Sequence, residues 1–326
     1  MVFSCRICGN KEGNLTIQAK EMMYGLKESF DYVECASCGC LQLAQLPEDM
    51  GRYYPKDYYS IKSASGPLAS AKRALISSRD RYSLLGQGLL GKVLDTVSPN
   101  GLFHLIRSKA RLTGSSAILD VGCGAGSMLR SLKAMGFADL TGADPYAEPV
   151  EESGLRILKK GITEMDGGKR FDLIFFNHSL EHIQDQEGNL SKAARLLKEN
   201  GTCIVRIPLK SEYIWKRYGT NWVQLDAPRH IFLHTTRSFA LLAERSGFEL
   251  TETIFDSSEF VFIGSDAYEK GIPLERIAGN MLSPKGKLLH WGGINRLRAK
   301  AAELNAKSQG DQAAFILKLP KEGGRD

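Results

Sequence analysis

Apolar residues fall into two alternating patterns from residue 116 onward. Short apolar runs predict buried strands, and stretches in which apolar residues recur every three or four positions predict helices. Strands that alternate with helices favour a parallel sheet covered on both faces. The predicted strands are 117–120, 140–144, 155–158, 171–177, 202–207, 250–254 and 313–319, and the predicted helices are 127–135, 147–153, 190–197 and 238–245.

The segments outside this alternation have different patterns. Residues 63–112 have helical spacing, and the Pro-Asn-Gly run at 99–101 divides them into two predicted helices. A basic amphipathic helix is predicted near 285–306. Residues 47–62 carry four tyrosines in seven positions, which is typical of a connector packed between domains. The predicted units are 1–46, a connector and helical cap at 47–112, a core at 113–256, a helical insertion at 257–310, and the last core strand with a tail at 311–326.

A glycine turn follows the first predicted strand of the core. Asp120 is the last residue of that strand, and Gly122, Gly124 and Gly126 follow at alternate positions. Glycine permits positive φ and a close approach of a ligand to the backbone. The spacing differs from the Gly-x-Gly-x-x-Gly of dinucleotide-binding folds, and no Gly-Lys-Ser/Thr of a phosphate loop follows. The second strand ends in an acidic residue, Asp144.

These motifs closely resemble those of class I S-adenosylmethionine (SAM)-dependent methyltransferases. The glycine turn, the Asp144 position, residues 171–183 and the helix-turn-strand at 196–202 match in order, and the resemblance covers about 117–256. It implies an α/β, Rossmann-like, seven-stranded sheet that is mostly parallel, with an antiparallel last strand. It also implies that Asp144 binds both ribose hydroxyls of the methyl donor. The SAM-binding residues expected from it are Asp120, Gly122, Gly124, Gly126, Asp144, Pro145, Tyr146, Asn177 and His178.

Five of the seven cysteines lie in the first forty residues. Two Cys-x-x-Cys-Gly knuckles supply four thiolates, the ligand set of a structural Zn²⁺ site, and clustered pairs favour a metal over disulfides. Cys40 is a spare that could replace Cys38, although ribbon spacing favours Cys38. We therefore predict a zinc ribbon over 1–46 whose metal has a structural role. The predicted ligands are Cys5, Cys8, Cys35 and Cys38.

Three histidines are candidates for the general base that a hydroxyl acceptor needs. His178 and His182 follow the fourth core strand at a spacing of i and i+4, so they share a face if that turn is helical. His230 ends the sequence Leu-Asp-Ala-Pro-Arg-His after the fifth strand. Each of the three could equally be a structural histidine, and the sequence leaves this open.

The acceptor is expected to be a sugar, nucleotide sugar or glycan intermediate. Aromatic faces suit sugar rings, and the loop that ends at His230 is rich in them. It resembles loops of bacterial methyltransferases of surface-polysaccharide and sugar pathways, and the ribbon before the core resembles deoxysugar C-methyltransferases. The predicted acceptor residues are Tyr58, Tyr213, Trp222, Asp226 and Arg229.

The residues that follow the fourth predicted strand lack the Asn/Asp-Pro-Pro-Tyr/Phe signature of enzymes that methylate nucleobase amines. This absence argues against a nucleic-acid acceptor. A zinc-ribbon enzyme acting on ribosomal or transfer RNA is the alternative. Whether oxygen, nitrogen or carbon is methylated stays open, as does the oligomeric state.

The net charge is +6, and residues 63–116 hold eight Lys or Arg against two Asp, which accounts for the whole excess. This basic segment is a solvated surface or a contact for an anionic partner. Peripheral membrane contact through residues 72–111 is a further hypothesis. The chain has no secretory signal pattern and no run of 18 apolar residues, so the cytoplasm is the expected location.

Overall fold

A computed structural model of the protein describes residues 3–54, 67–280 and 291–321. Within them, an eight-stranded sheet in the order β11-β12-β9-β8-β4-β5-β7-β6 forms the centre of the molecule. Its strands are β4 (Ala117–Val121), β5 (Asp139–Ala143), β6 (Val150–Glu152), β7 (Leu155–Leu158), β8 (Phe171–Asn177), β9 (Leu197–Pro208), β11 (Glu249–Phe255) and β12 (Gln312–Lys318).

The predicted fold class is confirmed. The five strands β9, β8, β4, β5 and β7 pair in parallel, and the last strand, β12, is antiparallel to both of its neighbours. This Rossmann-like arrangement brings the carboxyl ends of β4, β5 and β8 to one edge of the sheet. Ligands of open parallel sheets bind at that edge.

The helix predicted at 147–153 is wrong. Residues 150–152 form strand β6, which pairs antiparallel with β7 and adds an eighth strand to the sheet. The two strands are joined by Ser153 and Gly154, and Gly154 has a φ of 78°. A glycine at positive φ in a two-residue connection favours a hairpin, which here overrides the weak helical pattern.

Ten helices of two turns or more lie among the described residues. The segment predicted as two helices before β4 forms three, because Gly86 and Gly88 adopt φ values of 71° and 97° and introduce a second break. The helices are α1 (Pro67–Leu85), α2 (Leu89–Val97), α3 (Gly101–Lys109), α4 (Ser127–Ala134), α5 (Gln186–Leu196), α6 (Glu212–Tyr218), α7 (Thr236–Arg245), α8 (Phe260–Glu269), α9 (Leu274–Asn280) and α10 (Trp291–Ala306).

A second sheet of four strands takes three of its strands from the N-terminal region. Its order is β1 (Leu15–Lys20), β2 (Ser29–Glu34), β3 (Leu41–Leu43) and β10 (Phe232–Leu233). The fourth strand therefore comes from the loop that follows β9, almost two hundred residues later in the chain. The Tyr32 hydroxyl, on β2, donates to the His230 carbonyl at 2.7 Å, next to that strand.

The hydrophobic core has separate parts around the two sheets. The central sheet is covered on its faces by two clusters, which include Phe176 and Phe315 in one and Ile106 and Phe175 in the other. A third cluster joins the cysteine region to residues 214–233 and to helices α8 and α10. The N-terminal sheet thus shares its core with the loop after β9.

Two features bear on the membrane hypothesis for residues 72–111. Among the described residues, no helix is long and apolar enough to cross a membrane. Helix α2 exposes a row of apolar side chains on the surface. These are Leu89, Leu90, Val93 and Val97. Peripheral membrane contact through this segment stays a prediction.

Candidate functional site

The glycine turn follows β4 at the ligand-binding edge of the sheet. Gly122, Gly124 and Gly126 have φ values of 74°, 51° and 73°, the left-handed region that glycine tolerates best. A Cβ on Gly122 would lie 2.4 Å from the Cβ of Ser179. Because the Ser179 hydroxyl donates to the Val121 carbonyl at 2.7 Å, the turn is held directly against the segment that follows β8.

Asp144 lies immediately after β5 and braces the glycine turn. Its two carboxylate oxygens accept from the backbone amides of Gly124 and Tyr146, both at 2.8 Å. Pro145 separates Asp144 from Tyr146 in the chain, and Tyr146 is 85% exposed. Asp144 is partly exposed, so lone pairs of its carboxylate remain open to a ligand. The structure thus brings these predicted donor-binding residues together at one edge.

Asp120 lies beneath this turn with only 5% of its surface exposed. Burial and the neighbouring charge of Asp144 raise the pKa of its carboxyl to about 7. A cationic group bound at this edge would stabilise the ionised form of Asp120.

Asn177 and His178 lie at the end of β8 and are held by a residue that the sequence did not single out. The Arg206 guanidinium donates from Nη1 to Asn177 Oδ1 at 3.2 Å and to His178 Nε2 at 2.9 Å. Its Nε donates to Asp256 Oδ2 at 2.5 Å. His178 has a φ of 51°, an uncommon backbone conformation for a residue other than glycine. Arginine cannot accept a hydrogen bond, so His178 Nε2 is the acceptor.

Just after His178, the short 3-10 turn Leu180–His182 carries Glu181 and His182. Together with His230 these two residues form a group called here the Glu-His cluster. One ligand atom from each of the three side chains lies within 4.8 Å of the others. The His182 and His230 rings meet edge to face at a centroid distance of 4.8 Å. Glu181 is fully buried, and neither carboxylate oxygen has a hydrogen-bond partner.

Hydrogen bonds fix the orientation of both cluster histidines. His182 Nδ1 lies 2.9 Å from the Arg229 carbonyl and His230 Nδ1 lies 2.7 Å from the Gln224 carbonyl. Carbonyls only accept, so both Nδ1 atoms carry the proton and both Nε2 atoms carry a lone pair. His230 Nε2 lies 3.9 Å from Glu181 Oε1. Burial and the adjacent His182 lower the pKa of His230 to about 4, which leaves the ring neutral at pH 7.

Two of the predicted acceptor residues in the loop 213–230, called here the Trp-rich loop, pack into the core, whereas Asp226 lies 3.8 Å from His230 Nε2. Trp222 is 1% exposed, and its indole nitrogen donates to Asp311 at 2.8 Å. Tyr213 is half-buried against the third core cluster and lies under Lys300. Their placement contradicts a role for Trp222 in binding an acceptor, because it belongs to the core shared with the N-terminal sheet.

Arg229, another predicted acceptor residue, is also buried. It has no exposed surface and pairs with Glu21 at 2.9 Å and with Asp226 at 2.6 Å. Its Nη1 donates to the Tyr53 carbonyl at 3.2 Å. A buried arginine with two carboxylate partners fixes the loop and is not available to a ligand. Sequence reasoning missed Glu21, since nothing in its local pattern marks it as buried.

One tyrosine of the connector reaches the same cluster. Tyr58 falls outside the described residues, so its predicted role in binding the acceptor stays a prediction. Tyr54, which the sequence did not single out, places its hydroxyl 3.1 Å from His182 Nδ1. The end of the connector thus reaches the Glu-His cluster.

The four predicted zinc ligands converge at the turns of the N-terminal sheet. The thiol sulfurs of Cys5 and Cys38 are 3.7 Å apart, and those of Cys8 and Cys35 are 3.5 Å apart. Sulfurs at about 2.3 Å from a tetrahedral Zn²⁺ are separated by roughly 3.8 Å, so the group fits the ion. Cys40 lies outside the group, with its sulfur 4.0 Å from His234 Nδ1.

A cleft opens between helix α3 and strands β9 and β11, beside Arg206. Cations contributed by Arg79, Lys109 and Arg206 line it, together with the carboxylates of Glu252 and Asp256. Two of these cations belong to the basic segment at 63–116. Since Arg206 also contacts His178, the cleft adjoins the end of β8.

Comparison with known proteins agrees with the motifs. A model of the family described as methyltransferase domain matches residues 91–253, half of the chain. A ubiquinone biosynthesis O-methyltransferase of Azorhizobium caulinodans is 35% identical over 165 residues, covering 46% of this chain and 64% of that protein. One from Rhodopseudomonas palustris strain TIE-1 is 28% identical over 153 residues, covering 40% and 60%. The chain thus spans less than two thirds of the length of these relatives.

Two solved structures have a similar course of the chain. A cyclopropane synthase of Mycobacterium tuberculosis is 16% identical with a TM-score of 0.43, covering 68% of this chain and 84% of its own. A didemethyltoxoflavin N1-methyltransferase of Burkholderia thailandensis with bound S-adenosylhomocysteine is 15% identical with a TM-score of 0.40, covering 80% and 93%. The family match over residues 91–253, which include the glycine turn, Asp144 and the Glu181 segment, shows that the chain belongs to the methyltransferase domain family.

Proposed function

We propose that this protein transfers the methyl group of SAM to a hydroxyl of a small, sugar-type acceptor. The observation that carries the proposal is the direct packing of the glycine turn against Ser179, two residues before Glu181. This contact joins the predicted donor site to the Glu-His cluster. A methyl donor and an acceptor must meet in line, and these two groups of residues lie at the same edge of the sheet.

The donor side is proposed to use the glycine turn and Asp144. The turn leaves the backbone open to a ligand, and the Asp144 carboxylate can accept from two ribose hydroxyls as a bidentate partner. Asp120 places a second carboxyl beneath a donor that carries a positive sulfonium. The sulfonium is already a good leaving group, so the chain mainly has to align donor and acceptor.

The acceptor side is proposed to be the Glu-His cluster. A hydroxyl must lose its proton as the new carbon–oxygen bond forms, and the methyl–sulfur bond breaks with its electron pair going to sulfur. The cluster presents the Nε2 lone pairs of His182 and His230 and the carboxylate of Glu181 at the end of β8. His178 is a weaker candidate, because its Nε2 already accepts from Arg206.

Two further features support the acceptor class. The relatives from Azorhizobium and Rhodopseudomonas are named as O-methyltransferases, which favours transfer to oxygen. The cleft beside Arg206 holds three cations, each paired with a carboxylate: Arg79 with Asp80, Lys109 with Glu252 and Arg206 with Asp256. An acceptor carrying phosphate, such as a nucleotide sugar, would compete with these carboxylates for the cations. The zinc of the cysteine group is proposed to be structural, since four thiolates leave no open coordination position.

The test is a methyl-transfer assay with isotopically labelled SAM. Purified protein is incubated with a panel of nucleotide sugars, free sugars and bulk RNA, and label is followed in the products by mass spectrometry. The proposal expects label in a hydroxyl-bearing small molecule. Label found only in RNA would overturn the acceptor class and favour the RNA alternative, and failure of SAM to bind would overturn the whole proposal.

A further inference from the structure

We propose that the Glu-His cluster is a binding site for a divalent transition-metal ion, held by Glu181, His182 and His230. Two imidazoles and one carboxylate on the same side are a ligand set that proteins use for zinc, manganese or iron(II) while leaving coordination positions open. The three residues come from two segments, 181–182 and 230. Backbone pairing brings the segments together, since the Ile231 amide donates to the Glu181 carbonyl at 2.8 Å.

The environment of Glu181 suits a bound cation. Its side chain has no exposed surface, and both oxygens lack a hydrogen-bond partner. A buried carboxylate without hydrogen bonds costs several kcal/mol unless a positive group compensates it. The nearest nitrogens are His178 Nδ1 at 3.4 Å and His230 Nε2 at 3.9 Å from Glu181 Oε1. His178 Nδ1 carries the proton, because its Nε2 accepts from Arg206, but it makes no well-aligned hydrogen bond to Glu181. A cation bound between Glu181 and the two cluster histidines would supply the missing partner.

The two cluster histidines are oriented as metal ligands are. Metal-binding histidines nearly always donate their other ring N–H to a carbonyl or carboxylate, which fixes the ring and its tautomer. Both cluster histidines do so, through the Arg229 and Gln224 carbonyls. The nitrogens left with lone pairs are therefore the ones that an ion requires.

Neighbouring residues support the segments that carry the cluster. The Arg229 carbonyl that orients His182 belongs to a residue locked by Glu21 and Asp226. The Tyr32 hydroxyl holds the His230 carbonyl from the N-terminal sheet. Ligand atoms bonded at about 2.1 Å to one ion lie roughly 3.0–3.4 Å apart, so the cluster atoms, which lie within 4.8 Å of one another, need to close by up to about 1.5 Å. The partly exposed His182 ring is the side from which an ion reaches the site.

The ion has a chemical consequence that rests on the proposed function. With the ion bound, the two Nε2 lone pairs and the Glu181 carboxylate would be its ligands and no longer bases. The open positions of the ion would bind the acceptor hydroxyl and lower the pKa of that hydroxyl, as a Lewis acid does for bound water, so that the proton could pass to solvent water. An acceptor with two neighbouring hydroxyls, as in a sugar, could chelate the ion. The existence of the site does not depend on the identity of the acceptor.

The experiment uses Mn²⁺ as the probe, because this hard ion competes poorly for the four thiolates. Full-length protein that retains its cysteine-bound metal is titrated with Mn²⁺, and free Mn²⁺ is followed by electron paramagnetic resonance. The wild type is expected to bind one ion per chain. Glu181→Gln, which keeps the shape of the side chain, is expected to weaken binding by about 100-fold or more. Glu212→Gln, at an exposed position of α6, is the matched control and should bind like the wild type.

His182→Ala is the second ligand variant, chosen because His182 is only partly buried and the change is less disruptive to folding. It should also lose Mn²⁺ binding while unfolding at a temperature close to that of the wild type. Wild-type protein that binds no Mn²⁺, or a Glu181→Gln variant that binds it as tightly as the wild type, would overturn the site. SAM binding is measured in the same samples: SAM bound without Mn²⁺ overturns only the metal site, and Mn²⁺ bound without SAM overturns only the proposed function.

Discussion

The donor edge, residues 117–146, and the Glu-His cluster are built from the sequence in different ways. The donor edge is continuous along the chain, and Asp144 contacts a glycine only twenty residues before it. The cluster unites Glu181 and His182 with His230, and its supports, Glu21 and Tyr32, lie about two hundred residues from the residues that they hold. A site made of consecutive residues can be recognised as a motif, while one made across the fold depends on long-range packing.

The largest expected effect is on the N-terminal sheet, which supports the Glu-His cluster but not the donor edge. It comes from removing a proposed zinc ligand. Cys35→Ser removes one of the four thiolates proposed to hold zinc, and binding of a structural zinc contributes on the order of 10 kcal/mol to the folding of small zinc domains. Hydrogen exchange followed by mass spectrometry should show lost protection in 15–43 and 222–233, with 117–143 retaining it. Cys40→Ser is the control, since Cys40 is outside the group, and should cost about 1 kcal/mol. Equal loss of protection in the two regions would show that they fold as one unit.

The next effect lies in the donor edge and depends on pH. Asp120 has a pKa of about 7 in the folded protein against 3.8 for an ordinary aspartate. Its ionisation therefore opposes folding, so its unfavourable contribution is absent below about pH 4 and grows as the pH rises to 7. Asp120→Asn should be more stable than the wild type at pH 8, by up to about 4 kcal/mol, with the difference vanishing near pH 4. Urea unfolding at several pH values measures it, and a difference independent of pH would contradict this account.

The third effect tests the support of the cluster from the N-terminal sheet. Glu21→Ala removes one of two carboxylates from the buried Arg229, and leaving such a charge partly unpaired should cost about 3 kcal/mol. Urea unfolding measures the loss. Glu21→Gln should recover part of it by accepting one hydrogen bond. A cost below 1 kcal/mol for Glu21→Ala would mean that Asp226 alone satisfies Arg229.

The smallest expected effect comes from an ion pair at the surface, which serves as a comparison for the buried pair of Glu21 and Arg229. Glu269 pairs with Arg217 at 2.8 Å, and the two side chains are 35% and 50% exposed. Because solvent screens such a pair, Glu269→Ala should change the free energy of unfolding by less than about 1 kcal/mol. A loss as large as that of Glu21→Ala would remove the distinction drawn between buried and exposed pairs.

The sequence predicted the parts of the molecule that follow from local periodicity. The strands of the parallel sheet and the glycine turn each depend on a few neighbouring residues. The antiparallel direction of β12 was implied by the family resemblance and not by local periodicity. Strand β6 was missed, since three residues before a Ser-Gly turn carry too little pattern to outweigh a helix.

The buried interior of the Trp-rich loop was not predictable in the same way. Trp222 and Arg229 are residue types that are common in sugar-binding loops. In this protein both are buried beside the N-terminal sheet. Strand β10 of that loop pairs with β3 of the N-terminal sheet, and no local sequence pattern predicts this pairing. The same long-range packing explains why Glu21, Tyr54 and Arg206 were not singled out.

The central claim is that the edge formed by the glycine turn and Asp144 binds SAM. Isothermal titration of SAM into the wild type, Asp144→Ala and Asp139→Ala tests it most directly, because Asp139 lies at the opposite end of the same strand. The account predicts binding to the wild type and to Asp139→Ala, with affinity about 100-fold lower for Asp144→Ala through the loss of charge-assisted hydrogen bonds. Equal affinity in all three proteins, or no binding by the wild type, would contradict it.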